Sequence, residues 1–187
     1  METERILEER RVKDRMFAVD PQSPLTEVAR SRFDGLDYYP PDTALMFTVP
    51  LEPGDGREIV VDTSDDRQKV YRDAGRVSFD IEGIRQSLTV YDTGHPGIFI
   101  PFRDATSGSE TYGGGRYLDI DPNDDGTITV DFNQAYNPYC AYSGGYSCPL
   151  PPRENWLAVP IRAGERDFAD LGNQETPGRV EDPGGDK

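Results

Sequence analysis

Residues 76–81 read RVSFDI and residues 127–132 read TITVDF, and the alternation in these two stretches decides the fold class. In the first, Val77, Phe79 and Ile81 alternate with Arg76, Ser78 and Asp80; in the second, Ile128, Val130 and Phe132 alternate with Thr127, Thr129 and Asp131. A period of two places every second side chain on one face of an extended chain, so both stretches predict half-buried strands. Comparable runs lie at Leu45–Val49, Glu58–Val61, Lys69–Arg72, Ser87–Tyr91, Ile98–Phe102 and Arg116–Ile120. Between them stand turn formers: Pro53-Gly54, Asp73-Ala74-Gly75, Glu82-Gly83, Gly94-His95-Pro96-Gly97 and Asp125-Gly126. Short strands at this spacing predict a mainly β chain, an antiparallel β-barrel or sandwich with an N-terminal helical segment.

That helical segment is expected over Glu4–Phe17, where Glu comes early and Arg and Lys come later, the charge order that suits a helix macrodipole. Ser23 before Pro24 reads as the N-cap of a second, short helix. The organisation expected is residues 1–42 as a helical segment packed on the same domain, 43–168 as the β-rich body and 169–187 as a disordered acidic tail with little to bury.

Composition narrows the function classes. The chain has 35 Asp and Glu against 20 Lys and Arg, a net charge of −15, and only 3 of the 20 basic residues are Lys. Neutralising a phosphate backbone requires a basic stripe that is missing here, so no nucleic acid is expected as a partner, and an anionic membrane surface is disfavoured for the same reason. No apolar run approaches a membrane span and the N-terminus lacks a signal-peptide core, so a soluble cytoplasmic protein is expected. A hydrated carboxylate surface with little Lys suits solution in concentrated salt, which predicts a halophilic source.

Two segments concentrate special-purpose residues: FRDATSGSETYGGGRYLDI at 102–120 and DFNQAYNPYCAYSGGYSCPLPPREN at 131–155. In the second, Cys140 and Cys148 stand symmetrically about Gly144, as do Tyr142 and Tyr146, the pattern of a hairpin that would set each pair face to face. The two cysteines could form a disulfide, remain buried thiols or supply a nucleophile. Seven residues separate them and the chain has one histidine, His95 in a turn, so no metal site and no cofactor is expected. The run DPNDDGTITVDF from Asp121 places Phe132 where an EF-hand needs its bidentate Glu, so a β-turn is expected instead. In the first segment, Gly113-Gly114-Gly115 could offer backbone amides to an anion beside Arg116. No phosphate-binding GxxxxGK[ST] loop, GxSxG elbow or HExxH helix is present.

These two motifs, with IRAGE at 161–165, Glu9-Arg10-Arg11-Val12-Lys13 and Ser23-Pro24-Leu25, resemble the domain of unknown function 1684 (DUF1684) family, of which the chain looks like a haloarchaeal-type member. The resemblance covers most of Glu9 to Phe168 and carries no activity with it. It marks the motif residues as candidates for one shared site. The reading preferred from the residues is binding of a small polar or anionic ligand in a pocket formed by the 102–120 and 131–156 motifs, with Arg103 and Arg116 as anion contacts and Tyr112, Tyr136 and Asn137 as orienting groups beside Glu110, Asn133 and Asn155. One alternative is an enzyme, hydrolase-like or thiol-dependent, using Cys140, or Asp104 and Glu110 as an acid and base pair, at the same place. Another is a structural role, in which Asn, Pro and Tyr hold a C-terminal wrap by bonds from side chain to backbone.

Overall fold

The hairpin foreseen around Glu82-Gly83 is the spine of the structure. The computed structural model describes residues 2–168, and the acidic tail expected from Ala169 onward lies outside the described residues. Strand β4 (Gln68–Ile81) and strand β5 (Ile84–Asp92) pair antiparallel across that two-residue turn, with Val77 opposite Leu88 and Ile81 opposite Ile84. The six-stranded sheet built on them has the order β2-β4-β5-β6-β7, with β2 at Glu52–Pro53, β6 at Ile98–Phe102 and β7 at Arg116–Ile120; β3 (Glu58–Asp62) pairs with the first half of β4. A second, two-stranded sheet joins β1 (Met46–Pro50) to β8 (Thr127–Asp131). The fold is therefore mainly β, all antiparallel, with an N-terminal helix; the sheets pack face to face and form no closed barrel.

The core between the sheets is aromatic at its centre. Phe47 of β1 stacks on Phe79 of β4 with ring centroids 4.8 Å apart, and Phe132 meets Phe79 and Phe102 edge-on at 5.6 and 5.2 Å. Edge-to-face contacts of this kind add about 0.5–1.5 kcal/mol per pair to the area buried. Val77, Leu88, Val90, Ile100, Leu118, Ile128 and Val130 surround them. The last wall is supplied by a segment with no ladder of its own: along residues 157–163, Leu157, Val159, Ile161 and Ala163 point into the core while Ala158, Pro160 and Arg162 face out. The chain keeps the period of a strand there, and its backbone bonds run to loops, as from Ala105 N–H to the Val159 carbonyl at 3.2 Å.

Helix α1 (Glu2–Val19) is longer than expected by a turn's worth of residues shared between its ends. Ion pairs one turn apart, Arg5 with Glu9 at 2.7 Å and Arg11 with Glu8 at 2.7 Å, sustain its solvent face. It buries only Ile6 and Phe17, the latter edge-on to Tyr142 at 5.0 Å in a second small core with Leu25 and Ala29. Among the described residues no helix is long and apolar enough to cross a membrane.

Three local expectations differ. Helix α2 (Glu27–Ser31) is capped by Thr26, whose hydroxyl accepts from Ala29 N–H at 3.2 Å. Ser23 instead donates to the Phe17 carbonyl at 2.7 Å and so finishes α1. Asp73-Ala74-Gly75 is not a turn but a bulge inside β4, where the register shifts against β5. The Glu52 carbonyl of β2 presses on the bulge so closely that a Cβ on Gly75 would lie 2.2 Å from it, at a φ of +145°. The residues around Gly144 form no hairpin: Tyr139–Ala141 is a single 3-10 turn followed by bends. By contrast, the Asp121–Gly126 stretch is the expected turn, with the Asp125 carboxylate already occupied by the Thr127 N–H and hydroxyl.

Candidate functional site

The loop joining β6 to β7 brings the first motif against the C-terminal wrap. Arg116, the first residue of β7, sits opposite Phe102, and Gly115 before it makes the crossing: at φ +91° its Cβ would fall 2.6 Å from the Phe102 carbonyl. The Arg116 guanidinium is fully enclosed. It donates to Asp104 Oδ2 at 2.9 Å and to the carbonyls of Ile161, Ala163 and Glu165 at 2.8, 2.5 and 3.0 Å. Asp104 Oδ1 in turn accepts from Thr106 N–H and hydroxyl at 2.7 and 2.6 Å and from Ile161 N–H at 3.2 Å. This knot leaves Arg116 no face on which to meet an anion, contrary to the expectation that it and Arg103 would share a ligand.

Other motif residues are likewise committed to hydrogen bonds within the fold, although Asn137 Oδ1 is buried with no partner among the described residues. Asn155 Oδ1 accepts from Thr89 N–H at 2.7 Å, and its Nδ2 donates to the Thr89 and Pro101 carbonyls. Asn133 holds Asp42 through both its N–H and its carbonyl. Asn137 donates to the Arg166 carbonyl and, through its backbone N–H, to Glu165 Oε2 at 2.9 Å. Glu165 is itself buried, with Lys13 Nζ of α1 on Oε1 at 2.5 Å and the Tyr142 hydroxyl on Oε2. Tyr136 donates to Asp119. Glu110, foreseen as an acid or base partner of Asp104, is clasped elsewhere: Arg162 binds both its oxygens and Tyr39 donates to one, so its pKa is held down at about 2. The two carboxylates are committed to separate bonds.

Two of the open regions are lined in part by the candidate residues. The first is a cavity of about 350 Å³ between the motifs, walled by Gly113 and Gly114 on one side, Leu150, Pro151, Pro152 and Trp156 on another, and Val60, Val61 and Asp62 of β3, with Arg103 at its edge. Trp156 is 44 % exposed, its indole N–H fixed to the Pro151 carbonyl at 2.9 Å. Arg103 lies over the ring at 4.5 Å and Arg153 at 5.1 Å. Glycine amides beside a guanidinium were foreseen, but the guanidinium is that of Arg103. Trp156 and Arg153 were not among the residues singled out, although the only Trp of the chain, close behind Arg153 and two prolines, is the signal that marks them.

The second region is a groove walled by Tyr71, Phe99, Tyr117, Tyr136, Tyr139 and Tyr146, in two parts that share Tyr117, Tyr136 and Pro149. His95 lines one part and Cys148 the other. No hydrogen bond joins His95 to either cysteine. Cys140 and Cys148 are free thiols and neighbours: Cys140 N–H points at Cys148 Sγ at 3.4 Å, and the Tyr112 hydroxyl donates to Cys140 Sγ at 3.6 Å. So the nominated residues divide among a buried knot, several backbone pegs, a thiol pair and one cavity-lining arginine.

Comparison with known proteins agrees with this architecture. A family model described as protein of unknown function (DUF1684) matches residues 31–166. The solution NMR structure of an uncharacterized protein of Haloarcula marismortui is similar at 39% identity and a TM-score of 0.69, over 87% of this chain and 92% of that one. No curated protein matches the chain.

Proposed function

The chain belongs to the DUF1684 family, and we propose that it binds a small anionic ligand with a flat apolar part in the cavity between Gly113-Gly114 and Trp156. The observation that carries this reading is the pair of guanidiniums on one exposed indole. In a chain of net charge −15, most arginines of the body sit against carboxylates, as Arg67, Arg85, Arg162 and Arg166 do; Arg103 and Arg153 share Trp156 and have no carboxylate partner among the described residues. Two cations left unpaired beside an aromatic plane suit an anion that stacks, and the apolar rim of Val60 and Leu150, both exposed, favours a ligand that brings carbon surface with it. Asp62, the one carboxylate of the lining, is engaged by Gln68 Nε2 at 3.0 Å. The buried residues Arg116, Asp104, Asn133 and Asn155 are assigned to holding the wrap that carries Trp156.

Because Trp156 is the only tryptophan, its fluorescence reports on this cavity alone. Titration with adenine nucleotides and with aromatic carboxylates should give saturable quenching for at least one of the two classes. Arg103→Ala should weaken that binding about tenfold, about 1.4 kcal/mol, without lowering the melting temperature. Quenching by neither class, or equal affinity in the variant, would refute the proposal.

The acidic composition supports adaptation to concentrated salt, in which screening relieves repulsion among 35 carboxylates. The melting temperature is expected to rise by more than about 10 °C between about 0.2 M and 3 M KCl. Differential scanning calorimetry checks this, and a flat response would remove the halophilic reading.

A further inference from the structure

The thiol pair lies outside the proposed ligand cavity and needs its own account. Cys148 is held rigidly: its N–H donates to Ser64 Oγ at 3.1 Å, its carbonyl accepts from Ser64 N–H at 2.8 Å, and two residues on Leu150 N–H donates to the Asp62 carbonyl at the end of β3. Cys140 sits half-buried on the 3-10 turn facing it, with its backbone N–H on the Cys148 sulfur. Seven residues join the two, including Gly144 and Gly145, whose surroundings are open. The 3-10 turn thus presents one thiol to another on an anchored segment, and Tyr112 places a hydroxyl on the presented sulfur at 3.6 Å.

We propose that Cys140 and Cys148 form a redox pair that reduces hydroperoxides, with Cys140 as the attacking sulfur and Cys148 as the resolving thiol. The Cys140 thiolate attacks one oxygen of ROOH; the O–O bond breaks, RO⁻ leaves and takes a proton to become ROH, and Cys140 is oxidised to the sulfenic acid. Cys148 then gives up its proton and attacks the Cys140 sulfur, the S–S bond forms and water departs. Two thiols and one hydroperoxide yield one disulfide, one alcohol and one water. A dithiol reductant resets the pair by exchange. The asymmetry of roles follows from the surroundings. Hydrogen bonds from the Cys148 thiol and then from Tyr112 outweigh burial and bring Cys140 down to about 6, whereas Cys148, donating to its neighbour and buried, is pushed up. At neutral pH the half-buried Cys140 carries the charge and the anchored Cys148 keeps its proton.

The test uses the full chain, fully reduced, with hydrogen peroxide as the probe. One peroxide consumed per chain with loss of both thiols, and an intact mass lower by two hydrogens, is the expected result. Cys148→Ser should stop at the sulfenic acid, trapped by a dimedone adduct at Cys140, while Cys140→Ser should react at least about 100-fold more slowly. The wild-type rate should rise with pH with a midpoint at about 6. Tyr112→Phe, which keeps the ring, should move that midpoint upward. Wild-type chains that retain both thiols under peroxide would overturn the proposal without need of any variant, as would equal rates in Cys140→Ser and Cys148→Ser.

Discussion

Arg116→Ala is expected to cost about 3–5 kcal/mol, the range for removing one partner of a buried ion pair. That is a large part of the 5–15 kcal/mol that holds a domain together. The loss has two sources. Asp104 remains a buried carboxylate with hydrogen bonds from Thr106 and Ile161 but no countercharge, and the carbonyls of Ile161, Ala163 and Glu165 lose their donors together. Because those carbonyls belong to the segment that puts Ile161 and Ala163 into the core, the wrap should loosen before the sheets do. Denaturant titration measures the total, and amide hydrogen exchange should find the first loss of protection at residues 157–165. Arg116→Met with Asp104→Leu should recover part of the stability, since the orphaned charge is then gone. A loss below about 1 kcal/mol in Arg116→Ala would mean that the knot is not what holds the wrap.

Asn155→Ala should cost about 2–4 kcal/mol, from one N–H and two carbonyls left without partners at about 1–3 kcal/mol each before relaxation. The reason lies in the sheet. Strands β5 and β6 meet in register at a single pair, Tyr91 with Phe99, although β5 runs on to Ile84 and β6 to Phe102. Pro101 has no N–H to offer a ladder. Asn155 enters the gap and bonds to Thr89 on one strand and Pro101 on the other, doing with its amide what a neighbouring backbone would do. Asn155→Asp should be no milder, because a carboxylate would face two carbonyls. Trp156, the next residue, gives the readout: its emission should shift to the red as the peg is lost, at denaturant concentrations where the core is intact. Unchanged exchange of the Thr89 amide in Asn155→Ala would contradict this account.

The strands were legible because alternation is a property of neighbours: Val77, Phe79 and Ile81 announce their face without reference to anything distant. The continuation of β4 through Asp73-Ala74-Gly75 was hidden because turn residues and bulge residues share one chemistry, and the Glu52 carbonyl that selects the bulge comes from another strand. The motifs were legible as a set, and residues of both wall one cavity together with β3. Their individual roles were not. An arginine among glycines has the same composition whether it greets an anion or closes on three carbonyls, and Arg116 does the latter because residues 161–165 return across it. Trp156 was visible from the start as the only tryptophan, but that it is exposed and shared by Arg103 and Arg153 is a matter of packing.

The unpaired wrap also sets the order in which the molecule can be made. A chain emerging from its N-terminus completes β1 to β8 by Asp131, yet the face formed by Phe102, Leu118 and Phe132 stays uncovered until Leu157 to Ala163 arrive. Burial of the core therefore waits on a segment that follows the last strand, and cooperative closure comes only after every strand has been made. During that interval a nascent chain offers an apolar sheet face to its surroundings. The same segment that locks the finished protein thus defines the period in which a chaperone, or another unfinished copy, would find it.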